Sequence, residues 1–164
     1  HDFLTTTAAA LRRFTAFFAE HRSTIKWLSL RSSALDPLVF TAPERVFRIE
    51  LSETWMLRVL DVEGALVARG YPPIDAAIDF ELSDRTLPEN SGRYRLAVTG
   101  GRAEVTPGGR GDVALDERAL AALYTGFLSP VALAAAGRIE GEPTALARLG
   151  ALFAGPPPVM PDYF

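Results

Sequence analysis

The sequence predicts an α+β fold: an antiparallel sheet of about five strands with helices packed on it. Two stretches alternate apolar and charged residues. Ile74, Ala76, Ile78, Phe80 and Leu82 interleave with Asp75, Asp79 and Glu81, and Tyr94, Leu96 and Val98 interleave with Arg93 and Arg95. Successive strand side chains point to opposite faces, so each stretch reads as a half-buried strand. Gly100-Gly101 follows the second stretch and supplies the turn of a two-residue hairpin into Arg102–Thr106. After Asp116 the apolar spacing becomes helical. Strands followed by segregated helices are the α+β arrangement.

The elements follow in order. Residues 5–20 read as a helix, capped by Thr5, Thr6 or Thr7, with Leu11, Phe14, Phe17 and Phe18 at helical spacing. His21 stands at its end, where an imidazolium suits the helix dipole. Residues 24–30 alternate and read as a strand. Asp36-Pro37 opens a short loop or helix, Ala42-Pro43-Glu44 breaks it, and Val46–Leu51 reads as a strand. Trp55–Leu60 reads as an apolar strand interrupted by Arg58. Asp61 caps a helix over Val62–Arg69, and Gly70 occupies the position of a C-terminal glycine. Tyr71-Pro72-Pro73 imposes extended chain before the two alternating strands. Pro107 to Gly111 forms a loop, and Asp112–Leu115 a short last strand. Asp116 caps a helix carrying Leu120, Leu123, Tyr124 and Phe127. Val131–Ala136 is helical and ends at Gly137. Pro143 fits the first turn of a last helix with Leu146, Leu149 and Phe153 on one side.

Composition limits the chemistry. The chain has 164 residues, enough for one domain, or one domain and part of another. With no cysteine it has no disulfide, thiolate metal site or cysteine nucleophile. Its two histidines, His1 and His21, give little material for a zinc site or a Ser-His-Asp triad. The net charge is −3 and no basic run exceeds Arg12–Arg13, so nucleic acid is not the expected partner. No apolar run approaches the roughly 18 residues of a membrane span, and a cytoplasmic protein without membrane contact is expected. The first residues, His1-Asp2-Phe3, lack an initiator Met, which fits a trimmed protein or a piece of a longer one.

Several groups of residues are candidates for chemistry. Asp75, Asp79 and Glu81 present carboxylates on one strand face, but Arg93 and Arg95 oppose them, and a cross-strand ion-pair surface explains both sets. Gly108-Gly109-Arg110-Gly111-Asp112 opens onto a strand instead of a helix N-terminus, so it reads as a plain hairpin loop and not a phosphate cradle. Its Arg110-Gly111-Asp112 has the composition of an adhesion tripeptide, with nothing else pointing outside the cell. Trp55, Tyr124 and Phe127 are assigned to the core. The C-terminus is distinctive. Pro156-Pro157-Pro158 and Pro161 make a stiff arm that ends in Tyr163-Phe164 and a carboxylate. Either the arm packs over its own core, or it inserts the carboxylate into a site.

Trp55-Met56-Leu57-Arg58-Val59-Leu60-Asp61-Val62, with Ala65-Leu66-Val67-Ala68-Arg69-Gly70-Tyr71, resembles the opening of the sterol-carrier-protein-like domain of Eis-type (enhanced intracellular survival) acetyltransferases. Leu120-Ala121-Ala122-Leu123-Tyr124, Ala135-Ala136-Gly137-Arg138, Ala151-Leu152-Phe153 and the ending Met160-Pro161-Asp162-Tyr163-Phe164 continue it in order. The resemblance covers about residues 51–164. Residues 1–50 resemble the closing part of the second, GNAT-like region. The resemblance implies a larger parent that moves acetyl from acetyl-CoA to an amine, such as an aminoglycoside or a lysine. It also implies an N-terminal GNAT domain as partner and a homo-oligomeric assembly. It carries the terminal carboxylate onto Phe164 as the catalytic group, with Asp162 and Tyr163 beside the substrate. No cofactor is expected on this chain. Its nearest match to the GNAT coenzyme loop, Arg138-Ile-Glu-Gly141-Glu-Pro143, lacks a preceding strand and ends in a proline with no N–H to donate. Alone, the chain is expected to be inactive. The other readings are a lipid or sterol carrier module and an oligomerisation domain.

Overall fold

The computed structural model describes residues 5–33, 36–41, 46–50 and 55–160. The chain divides into two compact units, one spanning Trp55–Pro157 and the other taking in the residues before and after it.

In the smaller unit, helix α1 (Ala8–Glu20) starts where Thr7 accepts a hydrogen bond from the Ala10 amide at 3.1 Å. It ends at His21, whose Nδ1 lies 2.8 Å from the Phe17 carbonyl oxygen. The phenylalanines of its apolar stripe meet edge to face, with Phe14 and Phe18 centroids 4.7 Å apart. Pro37–Phe40 is a 3₁₀ turn capped by Asp36. Two expected strands do not form: the described residues of 24–30 and 46–50 hold neither helix nor strand. Ile25, Trp27, Leu28 and Leu30 are all exposed. Alternation supplies a face, but a strand also requires a hydrogen-bonded neighbour.

The larger unit consists of helix α2 (Val62–Ala68), strands β1 (Ala76–Ser83), β2 (Gly92–Thr99), β3 (Arg102–Pro107) and β4 (Val113–Asp116), helices α3 (Glu117–Thr125) and α4 (Pro130–Ala135), strand β5 (Ile139–Gly141) and helix α5 (Pro143–Leu152). The strand order is β3-β2-β1-β4-β5. The fold is α+β with a five-stranded sheet, as expected, but two details differ. The fifth strand is β5 in place of Trp55–Leu60, and one pair, β1 with β4, is parallel, with Phe80 opposite Val113.

The parallel pair follows from how the chain leaves β3. Pro107 lies level with Tyr94, Tyr94 with Phe80, and Phe80 with Val113. Gly108 to Asp112 therefore crosses over β2 and β1 at constant height and enters β4 on the far side. Three strand spacings make about 14 Å, and the six backbone steps from Pro107 to Val113 reach about 20 Å. The segment read as a hairpin loop is thus a crossover pressed against the sheet, which glycines permit. Gly109 has φ +99°, and a Cβ there would stand 2.8 Å from Asp79 Cγ.

Trp55–Leu60 is tied by side chains and forms no ladder. Arg58 donates to Asp84, and Asn90 Nδ2 donates to the Leu60 carbonyl at 3.1 Å. Met56 is 98% exposed, so the apolar run does not bury both faces. The caps fall where expected: Asp61 accepts from the Gly64 amide, and Asp116 from the amides of Arg118 and Ala119. Gly70 is not a left-handed terminator, because α2 ends at Arg69 in extended conformation, with ψ 136°. The core lies between the sheet and the helices. Ile78, Leu82, Leu96, Val98 and Val113 of the sheet and Leu66, Leu123, Leu149 and Leu152 of the helices are fully buried. Each is worth about 1.5–3 kcal/mol of burial, and together they fill the space between the layers.

Candidate functional site

The charged face of β1 pairs as its register dictates. Glu81 stands opposite Arg93, and Asp79 opposite Arg95, with ion pairs of 2.9 and 3.0 Å. Asp75 accepts from the Gly100 amide at 2.9 Å. Asp79 is buried although it points away from the core, because the crossover covers it. The Arg110 amide donates to Asp79 Oδ2 at 2.9 Å, and Arg110 Nε lies 3.8 Å from the same oxygen. Donors thus engage both oxygens of Asp79, which anchors the crossover to the sheet. Arg110 also binds Asp112 at 3.1 Å, so the two charged ends of the tripeptide hold each other. Gly109→Ala forces a side chain into both a left-handed backbone and the Asp79 carboxylate. A loss of about 2 kcal/mol is expected in urea unfolding. An unchanged midpoint would mean that the crossover does not press on the sheet.

A second cluster gathers where three helices end. Arg69, just past α2, aims its guanidinium at carbonyls that helix geometry leaves without partners. Its Nε donates to the Tyr124 carbonyl in the last turn of α3 at 3.0 Å. Its Nη2 donates to the Phe153 carbonyl at the end of α5 at 3.2 Å, and its Nη1 to Gly70 at 3.0 Å. A cation at two helix C-termini is favoured by both dipoles. The rings of Tyr71 and Phe153 flank the same guanidinium, with centroids 5.0 and 4.8 Å from its carbon. Burial lowers the Arg69 pKa from its ordinary value, opposed by Tyr71 and Tyr124.

Tyr71 donates its hydroxyl to the Leu66 carbonyl at 2.9 Å. Burial pushes its pKa up to about 12; the Arg69 charge opposes that rise and Tyr124 adds to it. A raised pKa means that the folded state holds the proton longer. Its contribution is intact below the ordinary value of 10.0 and fades as pH rises towards about 12. Tyr71→Phe is expected to cost about 1 kcal/mol at neutral pH. That deficit should narrow above about pH 10, read from thermal midpoints of both proteins across that range. Tyr94 is raised too, by burial and then by Glu63, Asp61 and Asp84, but it is common to both proteins. A deficit constant with pH would rule out the linkage.

Beside this cluster lies a cleft of about 150 Å³, lined by residues that include Gly126, Ser129, Pro130, Gly150 and Gly155. Gly126 ends α3 with φ +74°, and a Cβ there would stand 3.3 Å from the Pro156 carbonyl oxygen. Phe127 is 67% exposed and Trp55 38% exposed, so neither is the core residue expected; only Tyr124 packs against the core. Phe127 lies past the helix end, where the left-handed Gly126 turns the chain outward.

The three sequence-predicted site residues, Asp162, Tyr163 and Phe164, lie outside the described residues. The stretch that matched a coenzyme loop follows helix α4, so no strand precedes it, and it holds the three residues of β5 itself. Pro143 opens α5 without an N–H, and a Cβ on Gly141 would stand 3.1 Å from the Asp112 carbonyl oxygen. Among the described residues, no group of three or more His, Cys, Asp or Glu side chains is placed to hold a metal ion, and no helix is long and apolar enough to cross a membrane.

Comparison with known proteins adds the context. The family described as "Sterol carrier protein domain" matches residues 62–161. An uncharacterized N-acetyltransferase of Streptomyces avermitilis is 42% identical over 100 residues, covering 59% of this chain and 24% of that protein. One of Streptomyces coelicolor is 40% identical over 96 residues, covering 57% and 22%. A solved GCN5-related N-acetyltransferase of Anabaena variabilis matches with TM-score 0.88 and 39% identity, over 99% of this chain and 42% of that one. Eis1 of Mycobacterium abscessus matches with TM-score 0.57 and 32% identity, over 65% and 27%. The chain thus spans about a quarter of the curated relatives' length. Both Streptomyces relatives are named N-acetyltransferases, and the Anabaena structure is of a GCN5-related N-acetyltransferase.

Proposed function

The chain belongs to the sterol carrier protein domain family, and we propose that it forms the C-terminal portion of an acetyl-CoA-dependent N-acetyltransferase of the Eis type. Residues 1–50 close a GNAT-like region, and residues 51–164 form the sterol-carrier-protein-like domain. The observation that carries this reading is the match of 99% of the chain to 42% of a GCN5-related N-acetyltransferase. The acceptor is a small cationic amine, an aminoglycoside or a lysine-like amine. Acetyl-CoA is held by the N-terminal GNAT domain of the parent. The assembly is homo-oligomeric and cytoplasmic.

In this reading the Phe164 carboxylate is the proton acceptor, and Asp162 and Tyr163 line the acceptor pocket. The carboxylate takes one proton from the ammonium, the freed nitrogen lone pair bonds to the acetyl carbonyl carbon, the carbon–sulfur bond breaks, and the departing CoA sulfur leaves with the second nitrogen proton as the free thiol. A free α-carboxyl has a pKa of about 3.5, so it accepts that proton only where the site withholds water from it. The rest of this chain serves as scaffold. Its filled layers of Leu66, Leu96, Leu123 and Leu152 support that role over lipid carriage. The test is acetyl-CoA-dependent release of free CoA by the parent with an aminoglycoside acceptor. Release is expected, and it should depend on Phe164. A parent that releases no CoA with any cationic amine would refute the assignment.

A further inference from the structure

We infer that Arg69 is a positioning residue for the C-terminal arm: by binding the carbonyl at the arm's root, it fixes the direction in which the chain leaves α5 towards Phe164. This rests on the reading of Phe164 given above. Among the described residues, Arg69 forms no ion pair with a carboxylate. Among its hydrogen bonds, one reaches Phe153, the last residue before the Ala154-Gly155-Pro156 exit, at 3.2 Å, and another reaches Tyr124 in a different helix at 3.0 Å. The guanidinium's fork has fixed geometry, so the two acceptors are held in fixed relation to each other. The Phe153 ring stacks on that guanidinium and meets Tyr71 edge to face at 5.9 Å, which fixes the side chain as well as the backbone of the same residue. Gly126 lets the arm's backbone pass close, at the Pro156 carbonyl oxygen. The prolines from Pro156 to Pro158 then carry that direction onward, because each ring locks its own φ. A fixed root followed by a stiff stem delivers a terminal group to one place. A fixed root on a flexible stem does not.

The inference separates root from stem, and both can be altered. In the parent enzyme, Arg69→Met removes the clamp while keeping the stem's length and apolar packing. It is expected to lower kcat for amine acetylation at least 10-fold, since misplacement of about 1 Å costs up to 10²-fold, and to leave KM for acetyl-CoA unchanged. Arg69→Lys keeps the charge with fewer directed bonds and is expected to recover part of the loss. Replacing Pro156, Pro157 and Pro158 together by glycine leaves the core untouched and is expected to lower kcat at least 5-fold. This variant decides the question if Arg69→Met does not fold. Neither change should alter kcat by more than 2-fold in a parent already lacking Phe164, a non-additivity that a merely structural residue does not produce. Four outcomes overturn the inference: full activity of folded Arg69→Met, full activity of the glycine-stem variant, an equal loss in the Phe164-deleted parent, or a parent indifferent to Phe164. The last also overturns the reading beneath it, whereas a parent that needs Phe164 but not Arg69 overturns the inference alone.

Discussion

Deleting Phe164 from the parent enzyme is expected to lower kcat for amine acetylation by about 10²–10⁴-fold, the usual worth of a positioned general base. The loss should sit in kcat and spare KM for acetyl-CoA, because in the proposed function the carboxylate meets the acceptor's proton and not the coenzyme. Two controls separate charge from packing. Amidating the terminus keeps the arm and its aromatic rings but removes the negative charge, so it should reproduce most of the loss. Raising pH should shrink the deficit, since an amine acceptor with pKa near 10 arrives increasingly deprotonated and needs the base less. A pH-independent deficit, or an amidated enzyme at full rate, would make the terminus a packing element.

Much of the larger unit was legible in its sequence because its signals are local. The alternation of Ile78, Phe80 and Leu82, the Gly100-Gly101 turn and the Asp61 and Asp116 caps each follow from a few neighbouring residues. The illegible features depend on partners distant in sequence. Strand β5 has three residues and exists because Val113 and Leu115 offer it an edge. The crossover over Asp79 looks like any glycine-rich loop until the register puts Pro107 and Val113 at one height. Of the candidate site, the ion pairs of the sheet face could be read from charges two residues apart, since strand register brings them together. Arg69 could not. Nothing beside it in the sequence tells that its guanidinium ends against Tyr124 and Phe153, which are 55 and 84 residues away. The one available signal was an arginine beside Gly70 and Tyr71 at the end of an apolar helix, where a cation answers unpaired carbonyls.

Asp84→Ala is expected to cost about 2–3 kcal/mol, somewhat below the usual loss for one member of a fully buried ion pair, because Arg58 keeps some contact with water. Asp84 is 5% exposed, and one of its oxygens accepts from Arg58 at 2.5 Å, from the Thr86 amide at 2.9 Å and from the Leu87 amide at 2.8 Å. Removing the carboxylate leaves all three donors short of an acceptor, with Glu117 only 4.0 Å from Arg58 as a substitute. The damage should begin at one place. Arg58 ties the Trp55–Leu60 segment to the end of β1, and Asp61, which caps α2, follows directly. Hydrogen exchange in α2 should therefore rise before that of β1 and β2. Burial alone would raise the Asp84 pKa, but the Leu87 and Thr86 amides and the Arg58 guanidinium together hold it below the usual carboxylate range. A depressed pKa gives stability that is present above the unfolded value, near 3.8, and lost as pH falls through the lower folded value. Asp84→Asn keeps an acceptor for the amides without the charge, so its urea midpoint should trail the wild type at pH 7 and approach it as pH falls below 3.8. A gap that does not narrow as pH falls below 3.8 would show that the pairing with Arg58 contributes nothing that the amides do not already supply.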